Sequence, residues 1–395
     1  MCHEVYIKKN NIQENNIQEI KIYRNYFYFF DLNIYFFQKK MKIIPQKSTT
    51  DISKITSSST TPKKAKQQKS ITKVKKTKSK PKSKPIETIQ ANVFEPKDVD
   101  EWKQHLDIKG YVVIQLVPIA THDDWMLVLQ ELHDEFNPND RSNWTNKILP
   151  ENFSKAIQAQ HHLCQSKLAW KIRTDSQIQH IFSVVHDCAP EDLCVSMDAL
   201  SISWSKKNKS KLWPHDDQVK GIEDGDKYSI QGAYNTLSVG FENRGLCVVE
   251  KSHMKWDNRM EELKELKRLP KHHFSADEEF YTRCIPKLKK LLIPEHCLTL
   301  WNSRTVHCNS NDLIDRQDKD GNPQMNRLTS FVTWMPKAWR TQKVLEEKIN
   351  AYEKGKGTSH WSNRCRVKSA PRWPRKGAIL NNVEKEPFEN IKDYL

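Results

Sequence analysis

Pro214-His215-Asp216-Asp217-Gln218 is the stretch on which the reading of this chain turns. In an extended segment, residues i and i+2 project to the same side. His215 and Asp217 therefore present an imidazole and a carboxylate to one point, while Asp216 faces away. A second imidazole would complete a two-histidine, one-carboxylate set. Such a set holds iron(II) and leaves coordination positions open for other ligands. Zinc competes for these donors, but one carboxylate and no cysteine suit iron better. An H-x-D triplet recurs by chance, so its value depends on partners elsewhere.

The best partner is His307, which closes Leu298-Thr-Leu-Trp-Asn-Ser-Arg-Thr-Val-His307, a strand followed by a turn. It lies 90 residues after Asp217. That separation is expected when the ligands come from different strands of one barrel. His253, after the apolar run Leu246–Val249, is the rival third ligand. Arg327 then opens Arg327-Leu-Thr-Ser-Phe-Val-Thr-Trp-Met-Pro336. A site of this kind that activates dioxygen needs two further electrons, which 2-oxoglutarate provides by decarboxylation. The distal carboxylate of that cosubstrate needs a fixed cation, and a guanidinium fork matches it. Thr329, two residues along the same strand face, can add a hydroxyl contact. Arg316 competes with Arg327, but it sits in the polar loop between Asp312 and Gln324.

Outward from these residues, short apolar runs separated by turns dominate from Leu193 onward. Leu193–Ser205, Tyr228–Leu237, Gly245–Glu250, Cys297–Trp301 and Arg327–Met335 read as strands, a pattern typical of a sandwich or barrel. Upstream, Val99–Leu106 reads as a short helix and Gly110–Val117 as a strand. Thr121 is the N-cap of a helix whose apolar positions are Trp125, Val128, Leu129, Leu132 and Phe136. Ala169–Val185 reads as one further helix, and Thr341–Tyr352 as a surface helix.

At these residues the chain resembles the phytanoyl-CoA dioxygenase-like family of iron(II)/2-oxoglutarate oxygenases, and within it the divergent branch of large DNA viruses and protists. The resemblance runs from Val99 to Pro374. It rests on His215-x-Asp217-Gln218, Ser229-Ile-Gln231-Gly-Ala-Tyr-Asn235, Gly245-Leu-Cys-Val-Val-Glu-Lys-Ser-His253, Ser303-Arg-Thr-Val-His307, the Arg327 strand and Thr358-Ser-His-Trp361. It implies a mainly β fold with flanking helices around a double-stranded β-helix (jelly-roll, cupin-like) core. It also implies His215, Asp217 and His307 as catalytic metal ligands, and Arg327 as the 2-oxoglutarate arginine. By the same resemblance Asn309 and Gln231 contact the cosubstrate region, and Trp301, Ser303 and Arg304 line the pocket. The implied cofactors are Fe(II), 2-oxoglutarate and dioxygen. The implied reaction hydroxylates a C–H bond of an unidentified small molecule and releases succinate and CO2. The 20-residue interval from His307 to Arg327 exceeds the family's usual spacing, which points to an inserted loop at Asp315–Gln324.

The net charge of +16 is concentrated at one end. Residues 1–90 hold 20 Lys or Arg against 6 Asp or Glu, while the remainder is close to neutral. The basicity therefore belongs to a tail and not to a binding face. Residues 1–40 form an extension of doubtful structure, with Met41 an alternative start. Residues 41–92 are rich in Lys, Ser and Thr and are expected to be disordered. The Lys-rich segment 54–84 offers weak phosphate contact or nuclear import. Residues 93–376 form the oxygenase domain and 377–395 a C-terminal tail. The aromatic stretch Tyr23–Phe37 is interrupted by charge and too short to span a membrane. Nine scattered cysteines, with no C-x-x-C pair and no secretion signal, suit reduced thiols in the cytoplasm or nucleus. Two other functions fit parts of this sequence: a nucleic-acid- or chromatin-associated oxygenase recruited by the tail, and a non-catalytic interaction module that keeps the fold.

Overall fold

The structure is a computed structural model that describes residues 86–144, 157–204, 212–218, 228–265, 278–313, 319–322, 324–368 and 380–395. The extension 1–40, the Lys-rich segment 54–84 and Arg316 lie outside the described residues.

The strands are β1 (Glu87–Gln90), β2 (Val93–Phe94), β3 (Tyr111–Gln115), β4 (Ile157–Gln158), β5 (Leu193–Val195), β6 (Leu200–Trp204) and β7 (Ile230–Asn235). They continue with β8 (Leu246–Val248), β9 (Lys289–Leu292), β10 (Cys297–Asn302), β11 (His307–Asn309), β12 (Met325–Val332) and β13 (Trp334–Pro336). The helices are α1 (Val99–Lys109), α2 (His122–Leu132), α3 (Lys167–Arg173), α4 (Ser176–His186), α5 (Trp256–Glu265), α6 (Glu278–Cys284), α7 (Gln342–Glu353) and α8 (Phe388–Ile391). The described fold is thus a mixture of helix and sheet. A large sheet runs β2-β3-β10-β7-β12-β6-β4, and a smaller one runs β1-β9-β8-β11.

Period-two alternation explains how the layers stack. In β3, Val112 and Ile114 join the cluster that contains the helix residues Trp102, Trp125, Leu129 and Phe182. Their neighbours Tyr111 and Val113 point the other way and pack with Val248 and Leu291 of the small sheet. Strand β10 repeats this, with Leu298 and Leu300 toward the helices and Cys297 and Trp301 between the sheets. One face of the large sheet is therefore covered by helices and the other by the small sheet.

Local chemistry sets the helix boundaries. Thr121 accepts from the Asp124 amide while Asp124 accepts from the Thr121 amide, which caps α2 at both orphan donors. Helix α1 ends at Gly110, which has φ +84°, and the Gly110 amide donates to Leu106 O. The single helix expected over Ala169–Val185 is instead two. Asp175 accepts from the Gln177 amide and caps α4, so the chain restarts there and does not continue from α3.

Two expected strands are likewise each divided. Leu193–Ser205 splits into β5 and β6, and Arg327–Met335 splits into β12 and β13. The breaks face each other: the Ser196 amide donates to Thr333 O, and the Thr333 amide donates to Ser196 Oγ. β6 pairs with β12 on one side of this corner, and β5 with β13 on the other.

Order begins earlier than Val93, because β1 at Glu87–Gln90 pairs in parallel with β9. Residues 380–395, read above as a tail, contribute Val383, Ile391 and Leu395 to the main core. Helix α7 is not purely a surface helix, since Lys348, Ala351 and Tyr352 are buried. The buried Lys348 ammonium donates to Val195, Ser362 and Leu395 carbonyls at 2.7, 3.2 and 2.8 Å, fastening three segments together. No helix among the described residues is long and apolar enough to cross a membrane.

Candidate metal centre

His215 and His307 are cross-strand partners. Each donates its amide to the other's carbonyl, at 2.9 and 2.8 Å. In such a directly opposed pair the side chains emerge on the same face. The Asp217 amide donates to Ser303 O at 2.9 Å, so the His215–Asp217 segment is held by backbone bonds at both ends. The buried side chains of His215, Asp217 and His307 thereby offer one ligand atom each, all within 4.8 Å of one another.

The orientation of the rings matters as much as their proximity. His215 Nδ1 bonds Trp213 O at 3.0 Å, and His307 Nδ1 bonds Thr305 O at 2.9 Å. A carbonyl can only accept, so each Nδ1 carries a proton, and Nε2 is the nitrogen that each ring can offer a metal. Both Nε2 atoms face the Asp217 carboxylate, at 3.7 Å from His215 and 3.2 Å from His307. Burial, together with the neighbouring His307, lowers the pKa of His215 to about 4, so its ring is neutral near pH 7. Burial alone would raise Asp217. Its interactions with His360, His215 and His307 outweigh it and hold the carboxyl well below its ordinary range. Burial would lower the pKa of His307, but its hydrogen bond to Asp217 raises it overall, so a metal would displace the proton on its Nε2. Two imidazole nitrogens and one carboxylate oxygen match the donor set of a non-haem iron site.

These atoms line a cavity of about 360 Å³ between the two sheets. Arg327 and Asn309 also line it, and the Arg327 guanidinium donates to Asn309 Oδ1 at 2.9 Å. Arg327 is buried, and desolvation lowers its pKa to about 10, which leaves it cationic at neutral pH. Gln231 is committed to the metal group: its amide donates to Asp217 Oδ2 at 3.0 Å. The Thr329 hydroxyl donates to Asn235 Oδ1 at 2.8 Å, so it orients Asn235, which lines the cavity in its place. Trp301 lines the cavity with its ring 5.6 Å from that of His307. Ser303 supports the loop, donating to Gln218 Oε1 at 2.7 Å. Arg304 is not in this cavity. It lies over the Trp256 ring and approaches Asp257 in a separate recess. His253 is in that recess as well, bonding Asp107 O at 2.8 Å, and is not part of the metal group.

Three features have no role assigned to them from the sequence. His360 lies 3.7 Å from Asp217 Oδ1. Trp213 stacks on His215 at 4.2 Å and 4° between planes. Behind the ligands, buried Asp216 pairs with Arg259 of α5 and accepts from Tyr281 of α6 at 2.8 Å. An i+2 alternation identifies Asp216 as facing away. Nothing local identifies the residues it meets.

No family model matches the chain. A curated relative, Ava biosynthesis cluster protein O of Aspergillus versicolor, is 24% identical over 293 residues, covering 69% of this chain and 89% of that protein. Among solved structures, hypothetical protein JW0805 from Escherichia coli aligns over 68% of this chain and 78% of its own, at 13% identity and a TM-score of 0.41. The epimerase SnoN, in complex with Fe3+, alpha ketoglutarate and nogalamycin RO, aligns over 61% and 84%, at 12% identity and a TM-score of 0.34.

Proposed function

We propose that this chain is an iron(II)- and 2-oxoglutarate-dependent oxygenase that hydroxylates a C–H bond of a small molecule. The observation that carries the reading is the convergence of His215 Nε2, Asp217 and His307 Nε2 in a buried cavity that also contains the Arg327 guanidinium. The double-stranded β-helix description and membership of the phytanoyl-CoA dioxygenase-like family, in its viral and protist branch, are part of this proposal.

In this reading His215, Asp217 and His307 hold iron(II), and Arg327 with Asn309 receives the distal carboxylate of 2-oxoglutarate. Iron(II), 2-oxoglutarate and dioxygen together supply the oxidising power, with succinate and CO2 as by-products. The chain's own tasks are positional. The Trp213 and Thr305 carbonyls fix the imidazole tautomers. Gln231 holds one carboxylate oxygen of Asp217 in place. Phe331, Val239 and Ile293 give the cavity apolar walls that limit water.

The test is an anaerobic titration of iron(II) and 2-oxoglutarate, followed by succinate measurement in air. His215→Ala and Asp217→Ala should each abolish succinate formation. Wild-type turnover in both variants would refute the assignment. Absence of iron uptake by the wild type would favour the non-catalytic module instead.

A further inference from the structure

We propose that the substrate carries a carboxylate or phosphate on an apolar or aromatic body, and that Arg366 receives that anion at the rim of the cavity. The proposal rests on the oxygenase reading, because it assigns the outer half of the same cavity.

Arg366 belongs to a hairpin whose shape is fixed by its own bonds. Thr358 and Val367 form an antiparallel bridge. The Ser359 amide donates to Arg366 O, and the Lys368 amide donates to Gly357 O, both at 2.9 Å. The hairpin is tied to the body where the Thr358 amide donates to Met197 O at 2.7 Å and the Met197 amide donates to Thr358 Oγ at 3.1 Å. Its tip is anchored by the buried Trp361, with Arg364 4.9 Å over that ring. One arm places His360 beside Asp217. The other places Arg366 on the wall of the same cavity.

The charges on that wall are unequally used. Lys368 pairs with Asp198, whose carboxylate also accepts from the Ala199 amide at 2.6 Å. Asp217 belongs to the metal group. The exposed Arg366 guanidinium has no partner among the described residues. A planar guanidinium on a hydrogen-bonded hairpin is suited to a bidentate oxyanion.

The surroundings specify the rest of the ligand. Ile157, Trp213 and Val367 are large apolar side chains left 41%, 46% and 44% exposed, and all three line this cavity. Exposed apolar surface gathered around one opening marks a binding site. An anion joined to an apolar body would cover these side chains while its charge met Arg366. Buried Arg327 serves the cosubstrate carboxylate and exposed Arg366 the substrate anion, so the cavity offers a guanidinium to each of two oxyanions.

The experiment uses calorimetric titration of the full chain, loaded anaerobically with iron(II) and 2-oxoglutarate. The probes are matched pairs: 2-naphthylacetate with 2-naphthylacetamide, decanoate with decanamide, and 2-naphthylmethyl phosphate with 2-naphthylmethanol. At least one anion should bind about tenfold or more tightly than its neutral partner, and the pair that does so distinguishes carboxylate from phosphate. Arg366→Gln should remove that preference, and Arg366→Lys should retain part of it. Iron uptake, 2-oxoglutarate affinity and thermal midpoint should be unchanged in Arg366→Gln. Equal binding within every pair, no binding by any anion, or a preference that survives Arg366→Gln overturns the proposal. Weakened 2-oxoglutarate binding in Arg366→Gln also overturns it, by assigning the residue to the cosubstrate. If the wild type takes up no iron or 2-oxoglutarate, the oxygenase reading fails separately, and the same pairs on the metal-free protein still decide the anion site.

Discussion

Asp217 is a carboxylate approached from several sides, and Gln231 decides which way it faces. The hydrogen bond from its side-chain amide to Asp217 Oδ2 leaves Oδ1 directed toward His215 and His360. Gln231→Leu keeps the volume and removes the donor. Iron(II) affinity should fall about 10- to 100-fold, measured by anaerobic titration, with the chemical denaturation midpoint little changed. Unchanged affinity would mean that backbone bonds alone orient the carboxylate. The four residues most open to sequence reading, His215, Asp217, His307 and Arg327, have a shared property. His215 and Asp217 share an i+2 spacing, His307 opens the short strand β11 and Arg327 lies on β12, so each is marked by its place in a local pattern. Trp213, His360, Arg259 and Tyr281 have no such local mark. His360 reaches the site from 53 residues beyond His307, on a hairpin whose backbone bonds are made with Met197 and within itself.

At the scale of elements, caps and apolar periodicity are local and therefore legible, which is why α1, α2, β7, β8 and β10 fall close to where the sequence puts them. The corner at Ser196 and Thr333 is not local. Each break is stabilised by the other, across 137 residues, so neither run alone signals that it bends. Gly110 shows how an element boundary serves the site. Its positive φ turns α1 directly into β3, and its carbonyl accepts from the Asn302 amide at 3.0 Å and the Thr305 hydroxyl at 2.9 Å. Those residues lead into His307. A Cβ at position 110 would lie 2.4 Å from Thr305 Oγ1 and 2.5 Å from His253 Nδ1. Gly110→Ala combines a left-handed backbone, costing about 1–2 kcal/mol, with that collision. It should destabilise the protein by about 2 kcal/mol or more, read from urea denaturation. A loss below about 0.5 kcal/mol would show that the loop before His307 yields freely.

Across the whole molecule, packed elements are joined in part through partly buried polar groups whose protonation matters to stability. His186 at the end of α4 is one of these. Its ring Nε2 bonds Trp334 O at 3.0 Å, and it packs edge-on to Trp339 and stacks on Phe182. Burial lowers its pKa to about 4, against the hydrogen bond to the Trp334 carbonyl, which raises it. The unfolded chain takes up a proton on this ring near pH 6.5, while the folded chain takes it up only near pH 4. Within that interval the unfolded state binds more protons, so stability falls as the pH is lowered from 6.5 to 4 and levels off below. His186→Gln keeps a donor for Trp334 O and removes the titration. Between pH 7 and 4.5 the wild type should lose about 2 kcal/mol more unfolding free energy than the variant. Parallel pH profiles for the two proteins would mean that the ring protonates as readily in the folded chain as in the unfolded one, and that the seam between α4 and β13 opens to water.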